Sequence, residues 1–215
     1  MRDKVFLPAD ILLPQGVDMT RWSVIACDQF SSQKDYWERV DAFVGTSPST
    51  LRLILPEAYL QERRQEESAR IIAATMRAYL ESGLFRVYRK SYIYVERTLS
   101  TGAVRRGLVG MLDLEQYDFT PGAAAPVRAS EHTILERLPA RVAIRRGAPL
   151  ELPHAMALID DPDRIVIEPL GKWKDLMTCL YDFELMEGGG AIKGWLVQGE
   201  MAMQVMRALR DLPAR

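Results

Sequence analysis

The chain is expected to be α+β: a mainly antiparallel or mixed sheet built from hairpins and flanked by three to four helices. Three observations predict this. Segments 91–99 and 104–114 are apolar and β-rich, and Ser100-Thr101-Gly102 between them is turn chemistry. Segments 180–185 and 192–197 form a similar pair across Gly188-Gly189-Gly190, glycines free to take positive φ. Apolar stripes at helical spacing near 33–44, 57–82 and 200–212 supply helices to cover the sheet. With 215 residues, about half of them apolar, one α+β domain over 1–215 is the expected organisation.

Taken in order, residues 5–13 alternate apolar groups with prolines and should be extended. Trp22-Ser-Val-Ile-Ala-Cys27 predicts a buried strand running into the polar loop 28–32. Asp28 in that loop is a candidate ligand group, because a polar loop at a strand end is a favoured place for one. The simpler role for the loop is that Ser31 or Ser32 caps a helix starting near Gln33. That helix would bury Tyr36, Trp37, Val40 and Val44 and stop by Gly45. Leu51–Leu55 reads as a strand closed by Pro56. The segment 57–82 is the longest helical signal. Its first half is a solvated charged face, and Ile72, Met76, Tyr79 and Leu80 form its core stripe.

In 91–99, Tyr92, Tyr94 and Glu96 fall on one side and Ile93, Val95 and Arg97 on the other. Gly107 and Gly110 in the partner strand mark either a bulge, the favoured reading, or a close approach. A short helix is expected from Ser130, ended by Pro139. Segments 155–160 and 165–169 are a further hairpin candidate. The last helix should turn Met201, Val205, Leu209 and Leu212 inward.

Composition removes several classes. A net charge of −1 gives no reason to expect a nucleic acid or an anionic membrane as partner. No apolar run approaches the roughly 20 residues needed to span a bilayer, and the N-terminus has no signal-peptide core. Cys27 and Cys179 are far apart and fit free thiols, so a cytoplasmic protein is expected. Walker A, Gly-x-Gly-x-x-Gly and Gly-x-Ser-x-Gly patterns are absent, and two histidines with two separated cysteines argue against a transition-metal cluster. Asp160-Asp161-Pro162-Asp163 could help hold Mg²⁺ beside a phosphorylated substrate, or simply make a turn, which is the favoured reading.

The densest polar chemistry lies in 128–154, with five arginines, three glutamates and both histidines. Arginine is the side chain for bidentate binding of carboxylate or phosphate, so Arg128, Arg137 and Arg141 are candidate ligands for a small anion. Glu131 and His154 are the candidate acid–base groups. The alternative is an Arg–Glu network tying a helix to the sheet.

Several strings together resemble one family. They are Trp22-Ser-Val-Ile-Ala-Cys-Asp-Gln-Phe30 with Tyr36-Trp37, Ile93-Tyr-Val-Glu-Arg-Thr-Leu99, Arg105-Arg-Gly-Leu-Val-Gly110, Arg128-Ala-Ser-Glu131, Leu150-Glu-Leu-Pro-His154, and Leu180-Tyr-Asp-Phe-Glu-Leu185 with Gly188-Gly-Gly190. The family is the domain of unknown function 1015, and the resemblance covers nearly the whole chain. It implies a protein about twice this length. The second half of such a protein carries an Asp-Gly-Asn-His-Ser or Asp-Gly-His-His-Arg type of motif, similar to the nucleotide-handling motif of the ParB and free-serine-kinase group. No such string occurs between 199 and 215. The resemblance therefore implies an N-terminal part on which a second half packs. It implies part of a kinase-like, nucleotide- or phosphate-linked small-molecule site, with a nucleotide and Mg²⁺ as the implied cofactor. It also sharpens Arg128, Glu131 and His154 among the candidates. The rival is a non-catalytic module that binds an anionic metabolite or a protein partner; a homo-oligomer stays open.

Overall fold

A computed structural model describes residues 5–26, 30–60, 65–129, 134–152 and 154–212. Among them lie six α-helices and nine strands. The N-terminal segment is extended as expected, as β1 (Phe6–Leu7) and β2 (Ala9–Pro14). The strand expected over 22–27 does not form over its described part. Trp22 ends a short helix, α1 (Met19–Trp22), capped by the Asp18 carboxylate, and 23–26 run on without a ladder. Side chains replace a partner strand there: Thr50 Oγ1 accepts from the Val24 amide, and the Tyr36 hydroxyl donates to the Ile25 carbonyl at 2.6 Å.

Helix α2 (Lys34–Val44) buries Tyr36, Trp37, Val40 and Val44, the face its spacing predicts. Its N-cap is Gln33, so neither serine occupies the N-cap position expected of it. Ser31 instead accepts through its carbonyl from the Trp37 indole and the Ala58 amide. The strand expected at Leu51–Leu55 is a 3-10 turn, Thr50–Leu53, because buried Ser49 caps it by accepting from the Leu51 amide. Helix α3 (Gln65–Glu81) faces the core with Ala69, Ile72, Ala73 and Met76, while Leu80 points outward.

Strand β3 (Phe85–Thr98) is the longest and pairs in two stages. Its first half is antiparallel to β2; its second half is flanked by β4 (Val104–Val109) and by a later strand. The change falls at Lys90, which takes φ +49° beside a register shift in β2. Asp10 holds this bend, accepting from the Lys90 amide and pairing with Arg89. β5 (Met111–Leu112) returns to pair β1, and β6 (Tyr117–Asp118) runs parallel to β7 (Val127–Arg128). Gly110, between β4 and β5, is a place of close approach and not a bulge. A Cβ there would stand 2.7 Å from the Phe6 and Tyr92 rings and 2.8 Å from the Leu7 carbonyl.

Pro139 does not stop a helix. It lies in the first turn of α4 (Leu138–Gly147), where proline removes no intrahelical hydrogen bond. The hairpin expected from 155–160 and 165–169 is also absent: 155–160 carry no ladder, and 168–172 form α5 (Glu168–Lys172). Two local features decide this. Asp161 accepts the Ile165 and Val166 amides that a strand would need, and Pro169 enters the first helical turn. The last hairpin stands as predicted, with β8 (Cys179–Glu184) antiparallel to β9 (Ala191–Val197) and β9 in turn on β3. Helix α6 (Gly199–Arg210) closes the fold.

The apolar residues divide into three clusters. One gathers on α2, and a second packs Trp22, Leu53, Ile72 and Met76 together with Ile144. The third seals the Tyr92–Tyr94 face of the sheet with Val197, Leu170 from α5, and Ala202 and Val205 from α6. Gly110→Ala should destabilise the chain by about 1–3 kcal/mol through overpacking. Gly107→Ala, whose Cβ would meet nothing within 4 Å, should stay within about 0.5 kcal/mol of the parent. Urea unfolding decides; equal losses at both positions would contradict the packing described.

Candidate functional site

Strand alternation places Glu96 two residues beyond Tyr94, on the buried face of β3. Its cross-strand neighbours are Arg106 on β4 and Lys193 on β9, and Lys193 faces Asp182 on β8. Charges of alternating sign thus cross four strands in one row. Lys193 donates to Asp182 at 2.7 Å, which raises the lysine pKa. Lys174, in the 3-10 turn after α5, descends on the row from above: its Nζ donates to Glu96 Oε2 at 2.9 Å and lies 5.2 Å from the centre of the Trp195 ring. The Tyr94 hydroxyl donates to Glu96 Oε1 at 2.8 Å, and Arg106 Nε donates to the same oxygen at 3.3 Å.

The Glu96 side chain is only 12% exposed, against 50% for Arg106 and 35% for Lys174, so the cations shield the carboxylate from water. Burial pushes its pKa up. Hydrogen bonds from Lys174 and Tyr94, the Lys174 charge and the Arg106 bond outweigh that, and the net shift is downward. Burial, then the hydrogen bond to Glu96, raises the Tyr94 hydroxyl well above its ordinary range, so it stays a donor.

Arg106 also walls an open concavity of about 320 Å³ at the β4 edge. Arg164, Asp161 and Glu168 come to it from the segment entering α5, and Val104 and Ile167 line it with apolar surface. Arg164 sits at φ +53°, an uncommon conformation for a side-chain-bearing residue. Both Asp161 oxygens are engaged by backbone amides, which fixes the turn, as the turn reading of 160–163 expects, and leaves Glu168 as the other carboxylate that lines the concavity. Magnesium with a nucleotide needs only one or two carboxylates beside the phosphates, a demand Glu168 could meet in part. Among the described residues no group of three or more His, Cys, Asp or Glu could hold a metal ion.

The sequence candidates are placed as follows. Asp28 and Glu131 lie outside the described residues. Arg128 is exposed on β7, opposite Asp118 of β6. Arg137 forms an ion pair with Glu57 at 2.6 Å, and Arg145 pairs with Glu151, so part of the stretch is an Arg–Glu network. Arg141 is exposed on α4, and His154 is exposed in an irregular segment. The candidates drawn from sequence do not include Glu96, Arg106, Lys174 or Arg164. For Glu96 the signal was present: an acid in phase with two tyrosines on a buried face must find cations.

The family described as "Protein of unknown function (DUF1015)" matches residues 11–214, and the chain belongs to that family. Comparison with curated proteins and with solved structures gives no match. Among the described residues no helix is long and apolar enough to cross a membrane.

A carboxyl whose folded pKa lies below its unfolded value stabilises the fold above the unfolded glutamate value, about 4.3. That stabilisation is lost as pH falls through the lower folded value. Glu96→Gln should therefore cost about 1–3 kcal/mol at pH 7. The gap from the parent should narrow on acidification through this window, measured by urea unfolding at a series of pH values. A gap independent of pH would show that the Glu96 charge does not hold the row together.

Proposed function

For a chain of this family, we propose a cytoplasmic role in binding a phosphate-bearing small molecule, in which the chain contributes part of a kinase-like site. The observation that carries this reading is the meeting of Arg106 and Arg164 in one concavity, with Glu168 beside them. Two guanidinium groups supply forked donors for phosphate oxygens. Phosphoryl transfer relies chiefly on positioning and charge neutralisation, which is what such groups provide. The positive φ of Arg164 adds support, since strained residues gather where a side chain has to be aimed. His154 lies on the irregular segment that leads to the Asp161 wall, and with Glu131 it remains the proposed acid–base pair. Arg128 and Arg141 remain proposed anion ligands. Arg137, held by Glu57, is assigned to the scaffold.

A second reading, docking of a further part of the protein, is favoured by a separate observation. Leu158, Met156, Phe119, Leu176, Leu114 and Leu135 are each more than 70% exposed, and all fall between 114 and 176. Soluble chains seldom expose apolar groups so densely unless something covers them. The family's second half is the occupant we assign, and sedimentation of this chain with that half from a longer member tests it; independent sedimentation would refute it.

Thermal melts test the first reading. ATP with Mg²⁺ or a phosphorylated metabolite at about 100 times its Kd should stabilise the chain by roughly 2.7 kcal/mol. Arg164→Gly keeps the turn and removes the guanidinium, and it should reduce the shift by the part that this concavity contributes. Failure of every phosphate-bearing ligand to move the melting temperature of the parent would refute the reading.

A further inference from the structure

On the face of the sheet opposite Glu96, β3 presents Ile93, Val95 and Arg97. The cross-strand neighbour of Arg97 is Arg105. Like charges directly opposite on paired strands destabilise a sheet unless something neutralises them. The row continues to Ile192 on β9 and Phe183 on β8, so it contains no carboxylate. One residue earlier, on the other face, Arg106, Glu96, Lys193 and Asp182 alternate in sign. The same hairpin thus balances its charges on one face and leaves them unbalanced on the other.

The partners of Arg97 point the same way. Its Nη2 donates to the Gly189 carbonyl at a long 3.4 Å, and its Nε is buried with no hydrogen-bond partner among the described residues. A buried donor in that state is costly enough to need an explanation, and an ion is one. Arg105 is exposed and makes no ion pair among the described residues. The one acid in the adjoining turn, Glu187, is taken by Arg39 at 3.2 Å.

There is also room beside the pair. The next row on this face is Gly107, Val95, Gly194 and Tyr181. Gly194 is covered, because a Cβ there would enter the Tyr181 ring. Gly107, next to Arg105 on β4, has nothing within 4 Å of where its Cβ would stand. The surface beside the two arginines is therefore low and open toward β4 and closed toward β9.

We propose that Arg97 and Arg105 form a binding site for a doubly charged tetrahedral oxyanion, the phosphate group of a small phosphate monoester or inorganic phosphate. Two guanidinium charges without a carboxylate match a dianion better than a single carboxylate. The organic part of an ester would lie over Gly107 and Val95. This site is on the opposite face from the Arg106–Arg164 concavity, and neither reading requires the other.

Amide chemical shifts provide a local test, with inorganic phosphate and glycerol phosphate titrated separately at matched ionic strength. Saturable shifts at the Arg97 and Gly107 amides are expected in the parent and in Arg164→Gly. Arg105→Gln, at an exposed position, should weaken binding about ten- to a hundredfold, the effect of losing charge-assisted hydrogen bonds. Tighter binding of glycerol phosphate than of phosphate would assign an ester, and equal binding the free ion. Arg105→Glu places a counter-charge beside Arg97; it should raise the melting temperature without phosphate and abolish the saturable shifts at the Arg97 and Gly107 amides. Absence of saturable shifts at these amides, or shifts unchanged in Arg105→Gln, would overturn the proposal. If Arg105→Glu stabilises while phosphate leaves the parent unmoved, the arginine pair is only a tolerated strain and the site does not exist.

Discussion

A carboxylate at position 96 has to be neutralised, and much of the sheet is arranged around that need. The alternation that buries Tyr92 and Tyr94 carries Glu96 toward the same covered side. Water cannot solvate it fully there, so the chain surrounds it with Lys174, Arg106 and the Tyr94 hydroxyl. Lys174 belongs to the turn after α5, so the ion pair also ties that turn to the sheet. The position of α5 in turn fixes Glu168, and the segment before it fixes Arg164. One buried charge thereby sets the far wall of the concavity while its partner Arg106 forms the near one.

The fold is not covered evenly. The Tyr92–Tyr94 face is sealed by α5 and α6, and α2 and α3 bury continuous apolar stripes. The region from 114 to 176 is different: short strands, 3-10 turns and irregular chain leave large apolar side chains in solvent. The six most exposed of these lie outside α4 and outside the β6–β7 pair, in 3-10 turns and irregular chain that have no regular face to turn inward. This is also the region that carries the arginine stretch. Polar candidates and uncovered apolar groups therefore share one length of chain.

Where two elements are neighbours in sequence and each has a clear period, the sequence predicts the structure. The β3–β4 and β8–β9 hairpins and the apolar faces of α2 and α6 follow from spacing and turn residues alone. Short apolar runs mislead, because a strand is defined by its partner. Residues 23–26 and Thr50–Leu53 are β-like in composition, yet hydroxyls of Thr50, Tyr36 and Ser49 satisfy their backbones before any strand can. Segment 165–169 fails for the same reason, with Asp161 occupying its amides. Pro139 was legible in type but not in place, since a proline that ends one helix and one that begins the next look alike in sequence. The site was less legible than the fold. Richness in arginine marked 128–154, whereas pairing depends on distant residues: Glu57 claims Arg137, and no local pattern announces that.

The two faces of the β3–β4 hairpin show how one ladder can carry two electrostatic designs. Residues 96 and 97 are adjacent, as are 105 and 106, so a single register fixes both rows. On one face Glu96 faces Arg106 and the charges cancel within the protein. On the other, Arg97 faces Arg105 and they do not. A shift by one residue would exchange the faces and bury a guanidinium among the tyrosines, which is why register here is strictly held. The register that satisfies the carboxylate obliges the two remaining arginines to stand together. Their mutual repulsion is the consequence, and a dianion bound between them would relieve it without altering a residue.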